Sequence, residues 1–526
     1  GPYTMVTIDG MPIVSALATV YGLSGIPNSL IDRIEIIKGP ASSLYGSEAV
    51  GGLINIITKK TKNAPLFTAD IFSTSWLENN VDLGFKTNIG QTAESLIGLN
   101  YYNYNSPIDN NGDNFTDVTL QERISVFNKW NFNRKSEKEF TLAGRFFYED
   151  RWGGEMQWNK SYRGGNEVYG ESIYTTRFEF LGKYQLPVKE NMFVSFSATA
   201  HDQNSVYGTT LYLAQQKIGF GQYTWDKKLK IHNLLFGAAF RHQFYNDNTS
   251  ATINADKSNI YSVFLQDEIK LAEKHHLLLG TRYDYNNNHG SIFTPRIAYK
   301  WNPTPNDVFR INAGTGFRIV NLFTEEHAAL TGAREVIIAE NLAPEKSYNV
   351  NLNYLKKIRF EDASFLGFEL STWYTYFTNQ IIPDYDTNPN QIIYKNLNGY
   401  SETIGISGNI DWVSPYGIKS IIGFTVMDPK NVQNGIATQP ILTEKYSINW
   451  TISYDIPNWF LSIDYTGSLY GPMRLPLLGP LDPRAEYSQP WSLQNIQFTY
   501  KKFRNFELYG GIKNILNWTP NKGNPF

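Results

Sequence analysis

From about Leu66 to the end of the chain, apolar and polar positions alternate with period two over segments of ten or more residues. In IYSVFLQDEIKL, Tyr261, Val263, Leu265, Ile269 and Leu271 share one face. Ser262, Gln266, Glu268 and Lys270 share the other, with Phe264 as an exception. YSINWTISYD places Tyr446, Ile448, Trp450, Ile452 and Tyr454 opposite Ser447, Asn449, Thr451, Ser453 and Asp455. FVSFSATAH separates Val194, Phe196 and Ala198 from Ser195, Ser197, Thr199 and His201. Such segments are β-strands with one apolar and one wet face. Asn, Asp, Gly and Pro turns separate them.

A soluble sandwich would alternate in the same way, but three features favour a membrane barrel. The strands exceed the five or six residues usual in soluble sheets. Tyr and Trp collect near the ends of the apolar faces, as an interfacial girdle requires. Short connections such as LPVKEN and NPTPND alternate with long ones such as 103–121 and 321–344. The pattern yields about 21 strands. Bacterial single-chain barrels have an even number, and the final YGGIKNILNWTPNKGNPF reads as a strand and a turn. The expected fold is therefore an all-β membrane barrel of about 22 antiparallel strands with its last strand missing. A lumen of that width has to be plugged.

Residues 1–63 break the alternation and are expected to form part of that plug, leaving 64–526 as the barrel. EIIKGPASSLYGSEAVGGLINIITKK, from Glu35 to Lys60, reads as strand, glycine-dense turn and strand. Gly39, Gly46, Gly51 and Gly52 are expected to shape its turns. Arg33, Glu35 and Lys38 are expected to make polar contacts between plug and barrel.

Composition agrees. Aromatic residues make up 15% of the 526 residues, with 34 Tyr, 32 Phe and 12 Trp. No apolar run reaches the ~18 residues of a membrane-spanning helix. The net charge of −2 leaves no nucleic-acid footprint. With no cysteine, disulfides, thiolate zinc sites and thiol nucleophiles are excluded. H-E-x-x-H, G-x-S-x-G and phosphate-loop motifs are missing, so no enzyme is expected. Gly1-Pro2-Tyr3 does not begin a signal peptide, and the chain is expected to start inside a domain.

TIDGMPIV, IDRIEIIKGPASSLYGSEAVGGLINIITKK and GTGFRIVNLFTEE…LAPEKSYNVNLNY resemble the TonB-dependent outer-membrane receptors, most of all the cobalamin receptors among them. The first two segments resemble the second half of that family's plug. The third resembles a barrel strand and loop with an Arg after Gly-Phe and a Pro-Glu pair ahead of the next strand. YGGIKNILN resembles the penultimate strand. The resemblance implies import across a bacterial outer membrane of a scarce ligand too large for porins, driven by the TonB-ExbB-ExbD complex of the inner membrane. The family's energy-coupling box and the first half of its plug have no counterpart here.

The ligand is open at this point. In DNNGDNFTD, Asp109, Asn111, Asp113, Phe115 through its carbonyl, and Asp117 have the 1-3-5-7-9 spacing that wraps hard oxygens around calcium. A solvated acidic loop tip is the plain alternative. The resemblance to cobalamin receptors implies a calcium-ordered outer loop in this region. It also implies ligand contacts from the plug loop that carries Ser15 and Tyr21. Haem is the rival, with His327 as an axial ligand. A ferric siderophore is the third reading, with Arg151, Trp152 and Trp158 on an outer loop. A passive porin or adhesin is more remote. The long outer loops leave room for a surface lipoprotein as a lid.

Overall fold

The computed structural model describes residues 3–14, 17, 24–249, 252–320, 335–384, 387–388, 390–475 and 484–519. Four short strands near the start form one sheet: β1 (Thr4–Ile8), β2 (Met11–Val14), β3 (Ile31–Lys38) and β4 (Gly52–Thr58), in the order β2-β1-β4-β3. β1 and β2 are joined by Asp9-Gly10, both with positive φ (50° and 81°), the turn that suits the twist of a tight hairpin. β1 and β4 run parallel, whereas β3 and β4 are antiparallel. One helical turn, α1 (Ser42–Tyr45), lies between β3 and β4. Gly52 sits at φ 149°, where a Cβ would fall on the Ile37 carbonyl oxygen, so only glycine lets β3 and β4 meet there.

The wall begins at β5 (Phe67–Ser73) and continues through β6 (Asn79–Ile89), β7 (Ala93–Tyr104), β8 (Leu120–Phe132), β9 (Phe140–Gly154), β10 (Gly170–Gln185), β11 (Asn191–Tyr207), β12 (Thr210–Leu229) and β13 (His232–Asp247). Each wall strand pairs antiparallel with the next, and the sheet closes into a barrel of 22 strands. One of these, Ile436–Thr438, has only three residues and shares its partner Ile418–Gln433 with Tyr446–Ile456. The long strands therefore number about as the alternation predicts. Closure brings Tyr509, near the end of the wall, to donate a hydrogen bond to Asp70 near its start (2.7 Å).

The expected faces appear. Tyr261, Val263, Leu265, Tyr446 and Ile448 point outward and are exposed. Ser197, Thr199, His201 and Ser262 point inward and are buried. Phe264, the exception in its strand, faces inward and lies over Gly237, beneath the Arg282 guanidinium (5.5 Å). Beside the short turns, aromatic rings form chains: Phe132–Phe140–Tyr184 at 4.5 and 5.3 Å, and Trp301–Phe309–Tyr354 at 5.3 and 4.4 Å. These rings make the girdle of the inner interface.

The plug sheet is fastened inside the wall. Ile8, Met11, Ile26, Leu30 and Ile56 pack with the wall residues Leu96, Phe127, Ala143 and Leu181. A Cβ at Gly98 in β7 would lie 2.6 Å from the Leu30 side chain, so that glycine admits a close approach of the plug to the wall. Polar ties surround this core. Asp82 accepts the backbone N–H groups of Asn28 and Ser29 at 2.8 and 3.0 Å. Lys129 donates to Asp9 (3.0 Å) and to Thr58, and Arg282 donates to the Leu44 carbonyl (3.0 Å). Of the three charges expected to bridge plug and barrel, only Lys38 does so, to Glu369 (3.2 Å). Arg33 pairs instead within the exposed strand β3, with its neighbour Asp32 and with Glu35, which two places on shares its face.

Candidate functional site: the outer mouth

The long connections all open at one end of the barrel. Within two of them, three short segments form a separate sheet: Glu335–Ile338 runs parallel to Gln391–Asn396, which pairs antiparallel with Ile381–Asp384. The long loop predicted over 321–344 thus contains a strand at its end. Ile392 and Tyr394 of this sheet pack with Ile173, Tyr207, Tyr212, Ala214 and Tyr245 of the wall and with Leu17 of the plug. β12 and β13, which carry Tyr212 and Tyr245, lie seven and six places around the barrel from Phe365–Asn379, the wall strand that leads into Ile381–Asp384. The outer sheet therefore crosses the mouth.

The surface it covers is aromatic. Tyr212 and Tyr245 share a hydrogen bond (2.9 Å), and Tyr245 donates onward to Asp247 (2.7 Å). Thr249 and Thr252 also donate to Asp247. At the rim, burial and the neighbouring Glu171 carboxylate push the Tyr169 phenol up to about 12, so it stays uncharged. Sequence reasoning missed this cluster. Its tyrosines come from four separate strands, and alternation marks them only as ends of strands.

A second group ties the sheet to the rest. Glu345 is buried and accepts hydrogen bonds from Arg318 (2.8 Å), from the Tyr3 hydroxyl (3.2 Å) and from the Ile381 backbone N–H (2.9 Å). Arg318 and Glu345 are the Arg after Gly-Phe and the Glu of Pro-Glu. They face each other directly across paired strands.

The residues singled out from sequence fare differently. Ser15, Tyr21 and His327 lie outside the described residues. Arg151 turns inward onto Glu149 (3.0 Å). Trp152 has the Lys160 ammonium 5.5 Å from its ring, and Lys160 pairs with Asp150 (2.6 Å). Trp158 covers the backbone at Gly170. Arg151 and Trp152 thus belong to the end of strand β9 rather than to the expected loop, and these basic and aromatic side chains are engaged by groups of the wall and of the connection beside it.

The Asp109 loop forms a compact turn. Asp109 accepts the N–H groups of Gly112 (2.7 Å) and Asn114 (2.9 Å), Asp113 that of Phe115 (2.8 Å), and Asp117 that of Asn110 (2.8 Å). The donor set of Asp109, Asn111, Asp113, Phe115 and Asp117 is chemically suited to a hard cation. Among the described residues, however, no three acidic or histidine side chains converge on one point. Each carboxylate is turned toward amides of its own loop.

Charge is unevenly divided between the barrel's two ends. The outer connections carry fifteen Asp and Glu against seven Lys and Arg, whereas the inner turns carry seven against nine. The near-neutral whole hides an acidic outer face.

Comparison with known proteins agrees with this architecture. Residues 59–515 match the family model "TonB dependent receptor-like, beta-barrel", and residues 1–53 match "TonB-dependent Receptor Plug Domain". An iron-regulated outer membrane virulence protein of Vibrio cholerae is 26% identical over 430 residues, covering 76% of this chain and 61% of its own length. The vitamin B12 transporter BtuB of Vibrio cholerae is 23% identical over 500 residues, covering 88% and 72%. Among solved structures, a ferric enterobactin receptor of Pseudomonas aeruginosa superposes with a TM-score of 0.76 at 15% identity, covering 98% of this chain and 85% of the other. A siderophore receptor, PirA, from Pseudomonas aeruginosa gives 0.71 at 16%, covering 99% and 89%. The chain spans about three fifths of the length of the first of these relatives. A plugged 22-strand barrel, matched over most of its length by the barrel model, makes this chain a member of the TonB-dependent receptor family, proteins of the outer membrane of Gram-negative bacteria.

Proposed function

We propose that the chain is the greater part of an active importer that takes up a large, electrically neutral chelate of the cobalamin class, without bond chemistry of its own. The observation that carries the choice of ligand is the acidic outer face over a tyrosine-lined mouth. A surface of one sign repels ligands of that sign during diffusional encounter and at the site. Catecholate iron chelates and the propionates of haem are anionic. A corrinoid is neutral and rich in amides, and it meets no such barrier. Phenol hydroxyls and aromatic faces suit its amide-fringed ring. The relatives are divided, some named for vitamin B12 and others for siderophores. Energy would come through the TonB-ExbB-ExbD complex.

Calcium at the Asp109 loop belongs to this reading in a weak form. To bind an ion, Asp113 and Asp117 must give up hydrogen bonds to Phe115 and Asn110. Affinity is then expected at about 0.1–1 mM, the range of extracellular calcium modules.

Titration of the purified receptor with cyanocobalamin, hemin and ferric enterobactin tests the ligand. Saturable cyanocobalamin binding that varies little with salt is the expected result. Binding of only an anionic chelate would overturn the choice. A Soret shift lost in His327→Ala would assign haem.

A further inference from the structure

Glu345 Oε1 is shared by two elements, the plug and the outer sheet. It accepts the hydroxyl of Tyr3, the residue that leads into plug strand β1, and the backbone N–H of Ile381, the first residue of the outer sheet's strand Ile381–Asp384. Gln380, one residue earlier, donates its amide to the same Tyr3 hydroxyl (2.6 Å). The Tyr3 ring is held by Phe377 (5.0 Å between centroids) and by the Arg318 guanidinium (5.0 Å). Arg318 fixes the other carboxylate oxygen, Oε2. The carboxylate is 1% exposed, so water cannot replace either donor.

We propose that Glu345 is a positioning residue that couples the outer sheet to the plug. A ligand that enters the tyrosine cluster has to shift the sheet that covers it, because Ile392 and Tyr394 fill that space. Shifting the sheet draws Ile381 and Gln380 away from Glu345 and Tyr3. Tyr3 of the plug then loses the bond from Gln380, while its other partner, Glu345, loses the Ile381 donor that helps to hold it. Coupling of this kind is reciprocal, so loosening Tyr3 must loosen the sheet. The proposal rests on the reading of the mouth as the ligand's entrance. Its test needs no ligand, so it stands or falls separately from the choice of cobalamin.

The test is hydrogen exchange on the purified, ligand-free receptor. Tyr3→Phe keeps the ring and its packing and removes only the hydroxyl. It is expected to raise exchange at least about threefold both in residues 3–8 and in the outer strands 381–384 and 391–396. Glu345→Gln, which keeps the shape and loses the charge, should shift the same segments. Lys129→Gln removes a plug–wall tie on the far side, to Asp9, and should raise exchange in the plug alone. An outer sheet unchanged in Tyr3→Phe and Glu345→Gln overturns the coupling. So does a sheet that responds equally to Lys129→Gln, which would mark general loosening.

Discussion

Asp82 offers the sharpest test of how the wall holds the plug. Its carboxylate is 1% exposed and takes the N–H groups of Asn28 and Ser29, the unpaired donors that open the short helical turn Asn28–Leu30. Asp82→Asn preserves the shape. It leaves one acceptor oxygen and points an NH₂ group at the second donor. One charge-assisted bond is lost, a buried donor is left unpaired, and the remaining bond weakens. Hydrogen bonds to charged groups contribute about 1.5–3 kcal/mol each. The substitution should therefore cost about 2–4 kcal/mol. At 1.4 kcal/mol per tenfold, local opening should rise about 30- to 700-fold. Hydrogen exchange of a peptide covering residues 24–31, in detergent, reads this opening directly. A peptide from β13 serves as the unchanged control. If exchange of 24–31 rises less than threefold, the carboxylate does not fasten the turn, and the polar ties described here carry little of the plug's stability.

Three further outcomes follow from the geometry. Gly52→Ala must move the Ile37 carbonyl or abandon φ 149°, and should destabilise the plug sheet by about 2 kcal/mol or more. Urea unfolding of the plug at unchanged barrel signal reads it, and an unchanged midpoint would refute the clash. Calcium should protect the 109–117 loop from protease with a midpoint of about 0.1–1 mM, and Asp109→Ala should abolish protection; a midpoint below ~10 µM would mean a preformed site. Phe178→Cys, on the outward face of β10, should resist a water-soluble maleimide in lipid vesicles and react in denaturant. Prompt labelling in vesicles would place that face in water.

Much of the barrel can be read from the sequence, because burial on one side and lipid on the other impose a period of two over about fifteen residues, longer than strands of soluble sheets usually run. The strand from Asp256 to Ala272 shows this best. Even its exception, Phe264, has a physical cause, a glycine opposite it that leaves room for a ring. The plug's turn was legible for a different reason: Gly52 answers a backbone requirement that leaves its mark as a residue type. The outer sheet was not legible. Its strands have four to six residues, too few for a period to emerge, and Glu335–Ile338 pairs with a strand from a different connection. The Tyr3–Glu345 bond joins residues 342 positions apart, and no local pattern announces it. The Asp109 spacing was visible, but spacing does not say whether carboxylates face an ion or their own amides.

The way the wall closes also constrains how the molecule can be made. Every wall strand pairs with the one just before or after it in the wall, and only the seam between the last strand and β5 joins strands far apart in the chain, so most of the barrel can zip up from hairpins whose loops are cheap to close. The contact between Tyr509 and Asp70 spans 439 residues and has no such local route. The plug precedes the wall in the chain and ends up enclosed by it. Plug residues such as Asn28 and Thr58 must therefore reach Asp82 and Lys129 on an open, curling sheet before the seam shuts. A variant that delays plug folding should yield barrels that have sealed with the plug outside, and these would be recognised by an empty lumen that conducts ions.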